Sequence, residues 1–356
     1  MNRIEKLMNA LPEGADAALI TSDVNRRYFT GLGSTAGTLL AFRDAAYFII
    51  DFRYIEVAKA TVTGAEVILQ DKLYDQLGEL LKHNSKTVAL ETDYTTVGSL
   101  EQYRSRLPQV EFLTAAALND KILEMRSLKD EEEIAAIRKA QSITDAAFLE
   151  ILDFIKPGKT EKEIAAYLEY CMRRLGADGL AFETIAAGGP NSAKPHAVPG
   201  DRPLRQGDFF TMDYGAYWGG YCSDMTRTVA VGEPTEEMRR VYDTVLAAQL
   251  LGIEKAVVGA SCRAVDAAAR ELIYNAGYEG CFGHSLGHSV GIEIHEMPGF
   301  SPSIAPETTA KEGMVITVEP GIYMEGRFGV RIEDMVWLAP DGTKDLTNSP
   351  KELIIL

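Results

Sequence analysis

The chain has 356 residues, of which 46% are hydrophobic and 25% are charged, and its formal net charge is −16. This length favours two domains, and the composition is that of a globular protein. The acidic balance argues against nucleic acids and anionic membranes as partners, because both attract basic surfaces.

The character of the opening segment and the pattern of cysteines favour a cytoplasmic protein. The opening segment MNRIEKLMNALPEGAD is amphipathic and charged, and it lacks the apolar core of a secretory signal. No stretch approaches the roughly 18 apolar residues of a membrane span. The four cysteines are scattered without a C-x-x-C pair, which is typical of reduced thiols rather than of a disulfide framework.

Residues 15 to 120 alternate short apolar segments with turns. Five segments are typical of strands, namely ADAALIT, GTLLAFRD, AAYFIID, AEVILQ and KTVALET. DKLYDQLGELLKH has helical periodicity between the last two of them, and we expect His83 at its end to be structural. This alternation predicts an α/β domain over residues 1–123.

The pattern changes near Leu123, and the spacing Ser127-x-x-Asp130 predicts the start of a helix. A second helix is predicted to be capped by Thr160-x-x-Glu163. Helices at 130–155 and 161–175 precede strand-like segments at 181–187, 207–214 and 222–231. Helices at 235–257 and 262–276 precede strand-like segments at 292–296, 313–320 and 330–338. We assign residues 124–356 to the second domain.

This second domain shows a weak internal repeat. GDFFTMDYG and GMVITVEPG each have a glycine, five residues and then a carboxylate, which is Asp213 in the first and Glu319 in the second. Two helices followed by strands occur before each of them. We therefore predict a pseudo-symmetric α+β domain with a site between its halves.

The acidic residues are predicted to pair across two hairpins. A turn centred between Trp218 and Gly219 places Asp213 opposite Asp224. A turn centred on Gly326 likewise places Glu319 opposite Glu333, with Arg331 on their face. Facing carboxylates repel each other unless a cation lies between them or one is protonated.

Four carboxylates with one imidazole suit a pair of divalent metals, and hard oxygen ligands favour Mn, Co or Fe. A bridging carboxylate holds two metals roughly 3.5–4 Å apart, and a water shared by them becomes a hydroxide nucleophile near neutral pH. Any single Asp or Glu is more commonly a solvated or capping residue. The prediction therefore depends on the four carboxylates and the imidazole occurring together.

Three of the five histidines fall in one stretch, GHSLGHSVGIEIHE, as His284, His288 and His295. Its glycines argue against a helix and favour a turn that enters a strand, GIEIHE. We expect one of these histidines to complete the metal site, and the others to contact substrate or orient ligands. His196, in the loop NSAKPHAVPGDR, is a candidate proton shuttle or an ordinary surface histidine.

These motifs resemble the proline-peptide metallopeptidases of the pita-bread fold, the Xaa-Pro dipeptidases (prolidases) and aminopeptidase P. The resemblance is carried in the second domain by MDYGAYWGGYCSDMTRT, GHSLGHSVGIEIHE, ITVEPGIY and RIEDMV. In the first domain it is carried by NRRYFTGL and DFRY. It implies an α/β creatinase-like N-terminal domain followed by an α+β pita-bread catalytic domain.

The resemblance also implies roles for particular residues. It implies that the ligands of two metal ions are Asp213, Asp224, His288, Glu319 and Glu333, and that Asp224 and Glu333 are the bridging ones. It implies that His196 assists proton transfer and that His295 contacts the substrate carbonyl or leaving group. His284 and Arg331 support the site in this assignment.

The implied reaction is hydrolysis of an Xaa-Pro bond next to a free N-terminus by attack of a metal-bridging hydroxide. The expected cofactors are two divalent ions, with Mn first and Co, Fe or Zn as alternatives. The expected partners are small Xaa-Pro peptides and a second copy of the chain in a homodimer.

Two positions depart from the family's pattern. Ser289 stands at a place that is often glycine, and we expect this to be tolerated. Gly299 stands where prolidases often have an arginine for the dipeptide carboxylate, so dipeptidase and aminopeptidase P both stay open. A metal-free peptide-binding pseudoenzyme on the same fold, and a metal-free creatinase-like hydrolase, are alternatives of other classes.

Overall fold

The computed structural model describes residues 2–82 and 87–356, so His83 lies outside the described residues. The chain divides into two compact units, the first ending at Arg126 and the second spanning Ser127–Leu356. The division predicted after residue 123 falls close to this boundary. Within the described ranges, no helix combines the length and the apolar character needed to cross a membrane.

The first unit is built on one mixed sheet of six strands. Its helices are α1 (Arg3–Asn9), α2 (Asp23–Thr30), α3 (Ile55–Thr61), α4 (Leu73–Leu81), α5 (Val97–Arg106) and α6 (Ala117–Ser127). Its strands are β1 (Ala17–Ile20), β2 (Thr38–Phe42), β3 (Ala46–Ile50), β4 (Glu66–Leu69), β5 (Thr87–Leu90) and β6 (Glu111–Leu113). Their order in the sheet is β4-β3-β2-β1-β5-β6. The predicted strands β1 to β5 and the helix α4 are therefore confirmed.

The core of this unit lies between the sheet and its helices. Leu77 and Leu81 of α4 are buried in one apolar cluster with Leu19, Leu40 and Val88 of the strands. Burying a leucine side chain contributes about 1.5–3 kcal/mol. The alternation of strands and helices that the sequence shows therefore produces the α/β layers directly.

The second unit holds two helix pairs and several small sheets. Its α-helices are α7 (Glu131–Ile151), α8 (Glu161–Arg174), α9 (Glu236–Lys255) and α10 (Cys262–Ile273). Its strands before α9 are β7 (Gly179–Leu180), β8 (Ile185–Gly188), β9 (Asp208–Tyr214), β10 (Ala216–Trp218), β11 (Tyr221–Cys222) and β12 (Met225–Val231). Those after α10 are β13 (Gly287–Ser289), β14 (Glu296–Phe300), β15 (Val315–Val318), β16 (Gly321–Met324), β17 (Phe328–Arg331), β18 (Asp334–Ala339) and β19 (Gly342–Asp345).

The arrangement of these elements repeats, as the sequence predicts. In the first half, α7 and α8 precede a sheet of order β12-β9-β8, and in the second half α9 and α10 precede one of order β14-β13-β15-β18-β19. Each half has its own apolar core. The strands that lead to the acidic residues, β9 and β15, each pair antiparallel with the strand that returns, β12 and β18.

The two predicted helix starts have different outcomes. Thr160 caps α8, and its reciprocal bonds with Glu163 form the predicted capping box. The start predicted at Ser127 is wrong, because α7 is capped by Asp130, which forms a capping box with Glu133. Ser127 instead ends α6. A complete reciprocal box satisfies two backbone N–H groups, so Asp130 fixes the start of the helix.

The strand predicted at residues 292–296 is also wrong. Residues 291–295 are bends, and β14 begins only at Glu296. Ser289 of β13 pairs with Glu296, so the residues between them form the connecting loop of a hairpin. The alternation of Ile292 and Ile294 imitates a strand in a segment that turns.

Candidate metal centre

A cavity of about 890 Å³ lies within the second unit. All of the site residues predicted from the sequence line it. They are Asp213, Asp224, His288, Glu319 and Glu333, together with His196, His284, His295 and Arg331. The structure therefore brings the predicted ligands and their neighbours to one shared pocket, from loops and strands of both halves.

The first acidic hairpin turns one residue later than predicted. Trp218 pairs with Tyr221, and Asp213 pairs with Thr226 instead of Asp224. The prediction of direct facing is wrong because both glycines of the turn have positive φ and take the two central positions. The residue opposite Asp213 is two positions later than predicted, and residues two apart on a strand share a face. Asp213 and Asp224 therefore stay on one face, as diagonal neighbours.

The second acidic hairpin has the predicted register. The pairs on either side of the acids are Val318 with Asp334 and Gly321 with Arg331. This register places Glu319 opposite Glu333, at the junctions of β15 with β16 and of β17 with β18. The predicted turn on Gly326 is therefore confirmed, and Gly326 has a φ of 70°.

The ligating atoms lie close together. One atom each from Asp224, His288 and Glu333 can be chosen so that all are within 4.8 Å of one another. His288 Nε2 is 3.5 Å from Asp224 Oδ2 and 3.5 Å from Glu319 Oε1. The imidazole thus faces carboxylates from both hairpins, which is the donor set of a divalent cation site.

Two carboxylate oxygens show that these residues fit metal ions. Oδ1 of Asp213 and Oδ1 of Asp224 are buried, and neither has a hydrogen-bond partner among the described residues. A buried polar atom without a partner costs about 1–3 kcal/mol, and more when it is charged. Divalent cations with hard oxygen ligands supply the missing partners.

Burial shifts the proton equilibria of the cluster. Burial, with repulsion from Asp213, raises the pKa of Glu319 to about 8 and that of Asp224 well above its ordinary range. Burial, with repulsion from Asp224, likewise raises the pKa of Glu333. Burial lowers the pKa of His288 to about 4, so its imidazole is neutral and able to bind a metal at neutral pH.

Arg331 is the buried cation of the site. Its Nη2 donates to Asp213 Oδ2 at 2.6 Å, and its Nε donates to Thr226 Oγ1 at 3.0 Å. Its Nη1 donates to the Tyr323 hydroxyl at 2.9 Å and to the Pro195 carbonyl at 3.3 Å. Four partners fix the guanidinium, and it in turn fixes one oxygen of Asp213.

Two threonines hold the glutamates, and the sequence reasoning missed both. Thr226 Oγ1 donates to Glu333 Oε2 at 2.7 Å. Thr317 Oγ1 lies 3.3 Å from Glu319 Oε1 and accepts the backbone N–H of His288 at 3.1 Å. Thr226 lies two residues after Asp224, and Thr317 lies two residues before Glu319. Residues two apart on a strand share a face, so this spacing would have indicated both threonines from the sequence.

Arg227 was also missed, although it fixes the backbone beside a ligand. This residue is 1% exposed. Its Nη1 donates to the Glu333 carbonyl at 2.6 Å, and its Nη2 pairs with Asp334 at 2.7 Å. Such a buried pair depends on tertiary contacts across more than 100 residues, and no local pattern marks it.

The predicted supporting histidines occupy different surroundings. His284 Nε2 is 2.8 Å from the Tyr323 hydroxyl, and burial lowers its pKa to about 4. His295 is exposed and packs edge-on against His288, with ring centroids 4.4 Å apart. His196 is exposed on the loop that follows the 3-10 helix Gly189–Ala193.

A buried ion pair anchors the segment that carries His295. Lys129 Nζ lies 3.1 Å from Glu296 Oε2, and both side chains are almost fully buried. The backbone N–H of Glu293 donates to Glu296 Oε1 at 3.3 Å. A Cβ at Gly291 would lie 2.5 Å from the same carboxylate, so the loop packs tightly on Glu296.

Comparison with known proteins places this geometry in a family. Residues 135–340 match metallopeptidase family M24, and residues 1–127 match the creatinase/prolidase N-terminal domain. An Xaa-Pro dipeptidase from Pyrococcus furiosus is 39% identical over 355 residues, which cover 99% of each chain.

Two solved structures are similar over their full length. The Xaa-Pro dipeptidase from Bacillus anthracis has a TM-score of 0.95 and 41% identity, with 99% of each chain covered. The X-Pro aminopeptidase from Thermotoga maritima has a TM-score of 0.92 and 37% identity, with 100% of each chain covered. The chain therefore belongs to metallopeptidase family M24, with a creatinase/prolidase N-terminal domain ahead of a pita-bread catalytic domain.

Proposed function

We propose that this chain is a two-metal peptidase that hydrolyses Xaa-Pro bonds next to a free N-terminus. The observation that carries the proposal is the convergence of four carboxylates and a neutral imidazole on one cavity. Its relatives named Xaa-Pro dipeptidase and X-Pro aminopeptidase match the chain from end to end.

The metals would be held by residues of both hairpins. Asp213, Asp224, His288, Glu319 and Glu333 would hold the ions, and Asp224 and Glu333 would be the ligands common to both. When bound, divalent ions lower the pKa of a water molecule and polarise the carbonyl under attack. The oxygen-rich set favours Mn, with Co, Fe or Zn as alternatives.

The other residues of the cavity would contact the substrate and transfer protons. His196 and His295 are exposed side chains at the cavity and are placed to exchange protons with the reacting groups. Arg331 keeps Asp213 in position through its 2.6 Å hydrogen bond. The Xaa-Pro bond carries no N–H, so these residues need no acceptor for a scissile amide proton.

Substitution of the shared ligands tests the proposal. In Asp224→Asn and Glu333→Gln we expect metal content and Xaa-Pro hydrolysis to be lost together. Asp201→Asn, at an exposed position, is the matched control and should retain both. Metal analysis of the purified protein with a proline-release assay measures the outcome. Wild-type turnover in either ligand variant would defeat the assignment.

The alternative of a metal-free peptide-binding module is not supported. The chain belongs to a metallopeptidase family, and each predicted ligand position carries a side chain that can bind a metal. The same observations argue against a metal-free creatinase-like hydrolase.

We also infer a reducing compartment and a homodimer. The four cysteines are free, and three of them are buried, which suits the cytoplasm. The homodimer follows from the resemblance to the prolidases, and light scattering during gel filtration of the full chain tests it.

A further inference from the structure

One buried carboxylate holds both ends of the loop that carries His196. Glu161, the first residue of α8, is 1% exposed. Its Oε1 accepts the backbone N–H of Gly188 at 2.8 Å, and its Oε2 accepts the backbone N–H of Gly200 at 2.8 Å. These two glycines bound residues 189–199, so a single side chain closes this loop at its base.

A third donor joins Glu161 to the interior of the loop. Asn191 Nδ2 donates to Glu161 Oε2 at 2.9 Å and to the Val198 carbonyl at 3.3 Å. A carboxylate makes stronger hydrogen bonds than a neutral acceptor does, and the N-terminus of α8 favours its negative charge. The base and the interior of the loop are therefore bound by one charged group.

The backbone at both ends of the loop is also tightly placed. Gly189 has a φ of 51°, a left-handed conformation that favours glycine, and a Cβ there would lie 2.6 Å from Asp208 Oδ1. At the other end, the Gly200 carbonyl accepts the backbone N–H of Lys162 at 3.2 Å. The loop therefore begins and ends at defined positions beside α8.

The middle of the loop is joined to the metal centre. Arg331 Nη1 donates to the Pro195 carbonyl at 3.3 Å, and Arg331 Nη2 donates to Asp213 Oδ2 at 2.6 Å. Pro195 directly precedes His196, and both line the cavity together with Asp213. The backbone of His196 is therefore held between Glu161 at the base of the loop and a cation that also binds a proposed metal ligand.

The ring of His196 depends on this backbone for its position. His196 is exposed, and its ring makes no hydrogen bond to the residues that the structure describes. Proton transfer requires the ring to lie within hydrogen-bond reach of the reacting group, and a displacement of about 1 Å can lower a rate by about 100-fold. Whatever holds the loop therefore also controls the reach of this histidine.

Resting on the proposed Xaa-Pro activity, we propose that Glu161 is a positioning residue for this reaction and that it acts through His196. Glu161 is not among the described residues that line the cavity, so it has no direct contact with a substrate there. Its carboxylate keeps the loop closed and presents His196 to the cavity. Without this carboxylate the ring occupies positions from which it does not reach the reacting group.

Glu161→Gln and His196→Ala, singly and together, test this proposal in the Mn-loaded full chain with Ala-Pro and Ala-Pro-Ala as substrates. In Glu161→Gln an amide NH2 replaces one acceptor oxygen and faces N–H donors. We expect kcat to fall roughly 10- to 100-fold, with KM and metal content close to the wild-type values. The double variant should have the kcat of His196→Ala, because Glu161 has no further effect once that ring is removed.

Three results would overturn the inference. They are a wild-type kcat in Glu161→Gln, a wild-type kcat in His196→Ala, and a further fall of similar size when Glu161→Gln is added to His196→Ala. The third result would mean that the carboxylate supports the fold and not the histidine. Absence of cleavage by the Mn-loaded wild type would instead overturn the proposed function on which the inference rests.

Glu163→Gln is the matched control on the same turn of α8. Glu163 accepts the backbone N–H of Thr160 in the capping box and makes no hydrogen bond to the loop among the described residues. This variant removes the same charge, and its kcat should stay at the wild-type value. A fall equal to that of Glu161→Gln would assign the effect to the charge of the helix and would overturn the inference.

Asn191→Ala keeps the proposal testable if Glu161→Gln does not fold. It removes one of the bonds between the loop and Glu161 and leaves the buried carboxylate with its two backbone donors. We expect a several-fold fall in kcat, which should disappear in the His196→Ala background. A wild-type kcat in Asn191→Ala would count against the inference.

Discussion

Thr226 joins two charged side chains of the metal centre through a single hydroxyl. This hydroxyl donates to Glu333 and accepts from Arg331 Nε. In Thr226→Val both buried partners lose a hydrogen bond, so we expect a stability loss of about 1–3 kcal/mol. Metal affinity should also fall, because Glu333 is no longer oriented. Chelator competition and urea unfolding of the full chain measure the two effects.

Thr211→Val is the matched control for this change. Thr211 is 3% exposed and its hydroxyl bonds Thr228 in the same sheet, so a similar stability loss is expected. Its metal affinity should stay at the wild-type value, because Thr211 bonds no ligand. Equal affinities in the two variants would show that the threonine hydroxyl at position 226 has no role in orienting the metal site.

The buried carboxyls make the stability of the metal-free protein depend on pH. Burial raises the pKa of Glu319 from 4.5 to about 8, so the folded chain keeps a proton that the unfolded chain releases in this interval. The free energy of unfolding therefore falls as pH rises from about 4.5 to about 8. The lowered pKa of His288, about 4 against 6.5, acts in the opposite direction, but only below pH 6.5.

We therefore expect the melting temperature of chelator-treated protein to fall between pH 6.5 and pH 8. Mn should weaken or reverse this trend, because metal binding needs deprotonated ligands and gains affinity as they lose protons. In Glu319→Gln the fall should be smaller. Differential scanning fluorimetry over this pH range measures it, and a rise in the metal-free wild type would contradict the assignment.

At the scale of elements, β13 depends on a glycine. A Cβ at Gly287 would lie 1.9 Å from the Thr317 carbonyl oxygen of the neighbouring strand. Gly287→Ala must push β13 away from β15, and with it His288. We expect a stability loss of about 2 kcal/mol or more, which is typical of overpacking against backbone, and weakened metal binding.

Gly283→Ala is its control in the same segment. A Cβ at Gly283 meets nothing within 4 Å, and its φ is not positive. We expect stability within about 0.5 kcal/mol of wild type, with unchanged metal binding. Thermal unfolding and metal titration of both variants give the comparison, and similar losses in the two would refute the steric argument.

The elements also show how far the sequence predicts this structure. The helix α4 follows from helical periodicity, because it buries one face. The strands β1 to β5 follow from short apolar runs bounded by turns, and β1, β2, β3 and β5 are buried along nearly their whole length. The single glycine at the tip of the second hairpin fixes its register, whereas the two adjacent glycines of the first allow alternative turn positions. The loop around Ile292 and Ile294 has the alternation of a strand, and only its pairing neighbours show that it turns.

The sequence indicates the residues of the candidate site more completely than the elements around it. The acidic residues and histidines could be found because charged groups in apolar strands need a partner. Arg227 and Lys129 could not, since each is recognisable only from partners more than 100 residues away. Tertiary contacts of this kind leave no local pattern in the sequence.

At the scale of the whole molecule, all five predicted ligands belong to the unit Ser127–Leu356. A ligand that binds only the folded state stabilises it by about 2.7 kcal/mol at a concentration of 100 Kd. We expect Mn to slow amide hydrogen exchange most in β9, β12, β15 and β18, the strands beside the ligands. The strands of the first unit, β1 and β2, serve as the internal reference. Equal slowing in β1 and β2 would argue against a metal centre confined to the second unit.

The support of the ligands by Thr226, Thr317, Arg227 and Arg331 has a consequence for metal supply. Thr226, Thr317 and Arg331 bind the carboxylates of Glu333, Glu319 and Asp213, and Arg227 binds the backbone carbonyl of Glu333. An incoming ion therefore does not have to organise these three carboxylates. A cage prepared in this way discriminates weakly among ions of similar radius, and occupancy follows the intrinsic affinity order and the concentrations that the surroundings provide. In the proposed two-metal centre, the medium in which the chain folds would then decide which ion is resident.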